Sequence, residues 1–287
     1  MGAPSGFSSR WRRVGALRMH ALQADGPESA PPVVLLPGLV TGSRSLVPLA
    51  RALTRYGLRP WLPDPAGFGY SDKPARALAI REQADIVAEW LHDEGLAPAR
   101  LLGNSVGSQL AVAVAAGHGD IASRLVLLAP TLWPALRRAF GWLRALPQPR
   151  GSRDRPTGRT RIRLLADAHD RMGDDPSLRL LNVASYAFAS VPRAVSTARF
   201  AVSEEMERGL PRVAAPTLLV RADRDPMSSL PWARHLVGLL PDGRLARLPG
   251  HGHTAFYFAP DAVAGVVGPF LRPDAPGRLP PPERGSG

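Results

Sequence analysis

The 287-residue chain contains no cysteine. Disulfides, thiolate metal centres and cysteine nucleophiles are therefore excluded. Lysine is almost missing too: Lys73 is the sole lysine among 36 basic residues, and the others are arginine. No apolar run approaches the roughly 20 residues that a helix needs to cross a bilayer. Residues 6–13 lack the apolar centre of a secretory signal. These absences predict a cytoplasmic protein with no membrane span. Acidic residues are scarce: 24 Asp and Glu leave a net charge of +12. Such an excess invites a nucleic-acid reading. The arginines are spread along the chain, however, and the densest run, residues 150–163, has no interleaved aromatic side chain for base stacking. A compositional bias toward Arg and Ala accounts for the charge, and no nucleic-acid partner is expected.

What is present is a 45% hydrophobic chain in which short apolar runs alternate with helical spacings. Residues 33–36, 59–63, 100–102, 125–128, 217–220 and 245–248 read as strands, and 14–22 as a half-exposed strand. Residues 45–56, 80–94, the stretch after 107, and 262–271 read as helices. The alternation predicts an α/β fold with a mostly parallel central sheet and helices on both faces. Between 130 and 211 no strand is legible, and helical segments at 134–143, 162–171 and 178–189 suggest an insertion. The expected division is a core of residues 1–130 and 212–272, a helical cap or lid of 131–211, and a disordered Pro- and Gly-rich tail of 273–287.

Between an apolar strand and a small-residue helix stands Gly103-Asn104-Ser105-Val106-Gly107. A G-x-S-x-G pentapeptide in that context is the nucleophile elbow. Its turn is so tight that glycines must flank the serine, which is lifted at the start of a helix. A serine hydroxyl needs a base, and the base needs a carboxylate to set its tautomer. After the strand at 217–220 come two acids, Asp223 and Asp225. After the strand at 245–248 comes Gly250-His251-Gly252-His253, where loop position favours His253 as the base. The His-x-His pair has no third ligand of suitable type close by, so no metal is expected; no cofactor is expected either. His20, His92, His118, His169 and His235 read as plain surface or helix residues. Oxyanion donors are expected from the backbone N–H of Val106 and of Leu39, the latter in the loop opened by Pro37-Gly38.

These residues together resemble the α/β-hydrolase superfamily in its capped branch, from about residue 33 to residue 271. Leu36-Pro37-Gly38 stands where that family usually has His-Gly before the oxyanion residue. Asp64-Pro65-Ala66-Gly67-Phe68-Gly69-Tyr70-Ser71 matches its D-x-x-G-x-G-x-S loop. The resemblance favours Asp225 over Asp223, because the family acid precedes such a proline. It implies a Ser105, Asp225 and His253 triad in a carboxylesterase-like serine hydrolase, acting on an ester or thioester of a small, largely apolar molecule. Ser105 sets the chain apart from the epoxide hydrolases and haloalkane dehalogenases, whose elbow carries aspartate. Asn104 and the loop at 64–72 are similar to carbon–carbon bond hydrolases, but Thr254 stands where those carry an aromatic residue. Carbon–carbon cleavage, perhydrolysis and a low-turnover, receptor-like binding role are the alternatives. Trp133, Phe140, Trp142, Leu146, Tyr186 and Phe188 are expected to line a pocket under the cap, with Arg44 available to an acidic substrate group. Oligomeric state has no sequence signal.

Overall fold

The computed structural model describes residues 3–38, 42–131, 134–145 and 191–272. Its strands are β1 (Phe7–Val14), β2 (Leu17–Ala24), β3 (Pro32–Leu36), β4 (Arg59–Pro63), β5 (Ala99–Asn104), β6 (Ala122–Leu128), β7 (Thr217–Ala222) and β8 (Gly243–Leu248). They form one sheet in the order β1-β2-β4-β3-β5-β6-β7-β8. The β1–β2 and β2–β4 pairs are antiparallel. Every pair from β4 to β8 is parallel. Val33 to Leu36, Leu101, Leu102 and Leu125 to Leu127 are fully buried. A parallel sheet is covered on both faces, so its strands read as continuous apolar runs rather than alternations.

The described helices are α1 (Val47–Thr54), α2 (Ile80–Asp93), α3 (Val106–Gly117), α4 (Pro134–Ala139), α5 (Val191–Ser203), α6 (Leu230–Gly238), α7 (Ala255–Phe258) and α8 (Pro260–Leu271). Successive residues of one strand feed opposite layers. Val34, Leu36, Leu101 and Leu127 pack with α2, α3 and α6. Val33, Leu35, Leu102 and Val126 pack with α1 and α8. This is the α/β arrangement expected from the alternation.

Several boundaries differ from expectation. The stretch 14–22 is not one strand, because Gly15, at φ 52°, turns the chain between β1 and β2. A single helix over 134–143 is replaced by α4 and a 3-10 turn, Gly141–Ala145. Among the described residues, 131–211 contributes no strand. Ala201 and Val202 of α5 pack with Leu143, Ile80 and Val106 in one small cluster. Gln109 of α3 donates to the Ala201 carbonyl at 3.0 Å, so α5 is fastened to the elbow helix. The expected helices at 162–171 and 178–189 and the tail at 273–287 lie outside the described residues.

The start of α2 carries an acid-sensitive contact. Glu82 accepts the Ala79 N–H at 2.8 Å and pairs with Arg76. The Arg76 hydrogen bond first, and the Ala79 N–H second, hold the Glu82 carboxyl down to about 2, below its ordinary 4.5. A depressed folded-state value gives stability that is present above the unfolded value and is lost as pH falls through the folded one. Glu82 is half exposed, so solvent screens much of this contribution. Glu82→Gln is therefore expected to lose less stability than the parent protein between about pH 7 and about pH 3, read from urea midpoints at both. An equal loss in the two proteins would contradict it.

Candidate active site

The pentapeptide at 103–107 sits where β5 ends and α3 begins. Ser105 has φ 55° and ψ −121°, the left-handed side of backbone space. For a residue with a Cβ this costs about 1–3 kcal/mol, and the surroundings must impose it. They do so by close packing. A Cβ on Gly103 would lie 2.3 Å from the Gly107 carbonyl oxygen, and one on Gly107 would lie 2.3 Å from that of Leu36. Only glycine at both positions lets β5, α3 and the end of β3 close around the turn. The Ser105 N–H donates to the Leu128 carbonyl at 2.9 Å, and Ser108 Oγ donates to the Gly103 carbonyl at 2.9 Å. The turn is thereby tied to the next strand, and the Ser105 side chain is raised above the C-terminal edge of the sheet, where open α/β sheets hold their ligands.

Two more loops reach the same edge. His253, beyond β8, places Nε2 3.1 Å from Ser105 Oγ. Its Nδ1 lies 2.8 Å from Asp225 Oδ2, beyond β7. Asp225 Oδ1 also accepts the Met227 N–H at 2.8 Å. The Asp225 side chain is fully buried, whereas that of His253 is 24% exposed. An ionised carboxylate only accepts hydrogen bonds, so the network assigns the imidazole proton to Nδ1 and leaves Nε2 to accept from the serine hydroxyl. The two loops are joined by backbone bonds, Arg224 N–H to the His251 carbonyl at 2.8 Å and Asp223 N–H to that of Leu248 at 3.1 Å.

Asp223, the other acid in reach by sequence, is engaged elsewhere. Arg247 binds both its oxygens, at 2.9 and 2.8 Å, and Arg221 approaches at 3.3 Å. The Arg247 hydrogen bond holds the Asp223 carboxyl below the usual carboxylate range. Val106 is the first residue of α3, so its N–H has no acceptor within the helix. Gly38 borders the elbow, and a Cβ there would make ordinary contact with Ser105 Cβ at 3.4 Å. Pro37, Gly38, Phe68, Ile80, Val106 and Leu110 line a small apolar cavity beside the elbow.

The remaining expectations fare differently. Leu39, Trp133, Leu146, Tyr186 and Phe188 lie outside the described residues. Arg44 places its guanidinium 5.6 Å over the Tyr70 ring. Phe140 and Trp142 are 39% and 60% exposed. In the same turn, Leu143 packs inward against Ile80, Val106, Ala201 and Val202. His20 is no surface residue: it is 1% exposed, on β2, with Nδ1 2.8 Å from Asp64. Alternation hid it, because β2 is buried without interruption from Met19 to Ala24. The signal was Asp64 in the D-x-x-G-x-G-x-S loop, a carboxylate that needs a partner once buried. Among the described residues no group of three His, Asp or Glu side chains converges as a metal site, and no helix is long and apolar enough to cross a membrane.

A family model described as alpha/beta hydrolase fold matches residues 31–260. A haloalkane dehalogenase of Mycobacterium marinum is 40% identical over 116 residues, 39% of this chain and 38% of that protein. Haloalkane dehalogenase 2 of Mycobacterium tuberculosis is 27% identical over 289 residues, covering 91% of this chain and 94% of that protein. The chain thus spans about two fifths of the first relative and nearly all of the second. The crystal structure of a putative lipase from Acinetobacter baumannii superposes with a TM-score of 0.72 at 18% identity, covering 93% of this chain and 91% of that one. That last likeness is one of fold. The dehalogenase relatives correct the expectation that Ser105 sets the chain apart from that family. The nucleophile is one position, and it weighs little in a similarity summed over 289 residues.

Proposed function

This chain belongs to the alpha/beta hydrolase fold family, and we propose that within it the protein is a serine hydrolase cleaving a carboxylic ester or thioester of a small, largely apolar molecule. The observation that carries this reading is the continuous chain from Ser105 Oγ through His253 to buried Asp225, at 3.1 and 2.8 Å. Ser105 Oγ attacks the carbonyl carbon while its proton passes to His253 Nε2. Asp225 keeps the imidazole oriented and stabilises the cation that forms. The tetrahedral oxyanion is met by the N–H groups of Val106 and Leu39. Collapse expels the alcohol or thiol, which takes the proton from His253. A water then gives its proton to His253, attacks the acyl-enzyme and restores Ser105. The apolar cavity beside Val106 suits the start of an acyl chain, with residues 131–211 acting as the cap.

The same residue argues against dehalogenation. A carboxylate that displaces halide forms an ester, which water can cleave at the carbonyl. A serine oxygen doing so would form an alkyl ether, with no carbonyl to attack, and the enzyme would stop after one event. The test pairs the two chemistries. The protein is treated with a fluorophosphonate and the labelled peptide mapped, then assayed on p-nitrophenyl esters and, separately, for halide release from bromoalkanes. The expected result is label on Ser105, ester turnover and no sustained halide release. Multiple-turnover halide release, or no label on Ser105, would sink the proposal.

A further inference from the structure

Arg221 is the penultimate residue of β7 and is buried, although nothing in the reaction above touches it. Its side chain leaves the sheet on the face of Leu219, in the layer of α3 and α6. A guanidinium taken out of water must have its N–H groups engaged. Here all three nitrogens are spent on the loop that follows the strand. Nε donates to the Ser228 carbonyl at 2.6 Å. Nη1 donates to Asp223 Oδ1 and Nη2 to the Asp223 carbonyl, each at 3.3 Å. Asp223 opens that loop, and Ser228, fully buried, ends it just before the Ser229 cap of α6. One planar cation thus closes the loop across its base, and Asp225 stands between the two points it holds.

We propose that Arg221 is a positioning residue, which holds the Asp225 carboxylate in line with His253 by pinning both ends of the loop from 223 to 228. The proposal rests on the serine-hydrolase reading. Backbone bonds fasten the start of the loop: Asp223 N–H to the Leu248 carbonyl, Arg224 N–H to that of His251, and Asp225 N–H to that of Ala222 at 3.2 Å. Beyond Asp225, the Met227 N–H bonds to the Asp225 carboxylate, so it travels with that group rather than fixing it. The Nε bond to Ser228 ties the far end directly to β7. Without it a buried carbonyl loses its donor, and the loop relaxes around Asp225. Two of the three contacts are to backbone carbonyls, so they survive substitution of either aspartate side chain. Asp225 meets the imidazole and not the substrate. Its displacement therefore weakens the base in the transition state and leaves substrate binding alone, so kcat falls while KM holds.

Two substitutions separate this role from simple support of the fold. Arg221→Met removes every donor, whereas Arg221→Lys keeps the charge but has no planar fork to span both ends of the loop. The tautomer of His253 reports the link without any reference to activity. It is read from the ring-nitrogen shifts of isotope-labelled protein, with the imidazole neutral. His20 is the internal reference: its Nδ1 lies 2.8 Å from Asp64 Oδ2 and its Nε2 lies 3.1 Å from Ser9 Oγ, far from Arg221 in the sheet. In the parent, His253 is expected to carry its proton on Nδ1. In Arg221→Met both tautomers should appear, with kcat on a p-nitrophenyl ester lower by about 100-fold and KM within about twofold. In Arg221→Lys, kcat should fall by about tenfold. The His20 shifts should not change in either variant. A parent-like His253 in Arg221→Met, or a loss carried by KM, would overturn the proposal. Should that variant fail to fold, Arg221→Lys decides alone, and parent-like shifts and rate there would overturn it too. Should the parent protein turn over no ester, the serine-hydrolase reading fails on its own, and the His253 shifts still decide whether Arg221 sets the link to Asp225.

Discussion

Ser105→Ala is expected to lower kcat/KM for an ester by at least about 10⁴-fold, and to abolish fluorophosphonate labelling at that peptide. On the energy scale this is about 5 kcal/mol of transition-state stabilisation, far more than any single contact in the fold contributes. The loss is that large because the covalent route disappears entirely, leaving only the oxyanion donors and binding. Folding should be unaffected, since alanine tolerates φ 55° no worse than serine does. Ser105→Gly sharpens the point. It should be equally inactive but more stable, by up to about 1 kcal/mol, because glycine adopts that conformation without strain. Activity and melting temperature measured on the parent and both variants check this. A parent-like rate in Ser105→Ala would assign the nucleophile elsewhere.

Asp225→Asn is expected to reduce kcat by about 10⁴-fold, while Asp223→Asn changes it by less than about threefold. The amide keeps the size of the carboxylate and its reach to His253, but it can present N–H₂ to Nδ1. The imidazole then carries its proton on Nε2, facing Ser105, where a base must be bare. Asp223 holds Arg247 and Arg221 together, so its loss should register in stability rather than in rate. Steady-state kinetics on the two variants distinguish the acids, and a collapse with Asp223→Asn alone would reverse their roles.

The parts of this fold that are readable from residues alone are those governed by burial. Strands β3, β5, β6 and β7 are covered on both faces, and their apolar runs stand out against helical spacing. The elbow is readable because its geometry admits only glycine at 103 and 107. Strand β1 was illegible: six of its eight residues are exposed, and Ser-Ser-Arg-Trp-Arg-Arg carries no apolar pattern. Helix α6 did have a signal, Ser229 as its N-cap and Pro231 in its first turn, which apolar spacing overlooks. At the site, loop order points to His253, but Asp223 and Asp225 are two residues apart. Spacing cannot tell which of them turns inward. That depends on Arg247, a partner 24 residues away from Asp223 that only the register of β7 with β8 brings near.

The Ser9–His20–Asp64 chain bears on how any such site is recognised. Its two links measure 3.1 and 2.8 Å, the same as those of Ser105–His253–Asp225. A search by side-chain distance would return both and rank them equal. They differ in the backbone beneath the serine. Ser105 is held at positive φ with a helix starting at the next residue, whereas Ser9 lies in a strand across from Leu22. Imidazole and carboxylate can loosen a hydroxyl's proton in either place, but only Ser105 stands at the N-terminus of a helix, whose dipole favours a negative charge. The molecule thus carries its own matched control, which separates the strength of a base from the preorganisation of its surroundings.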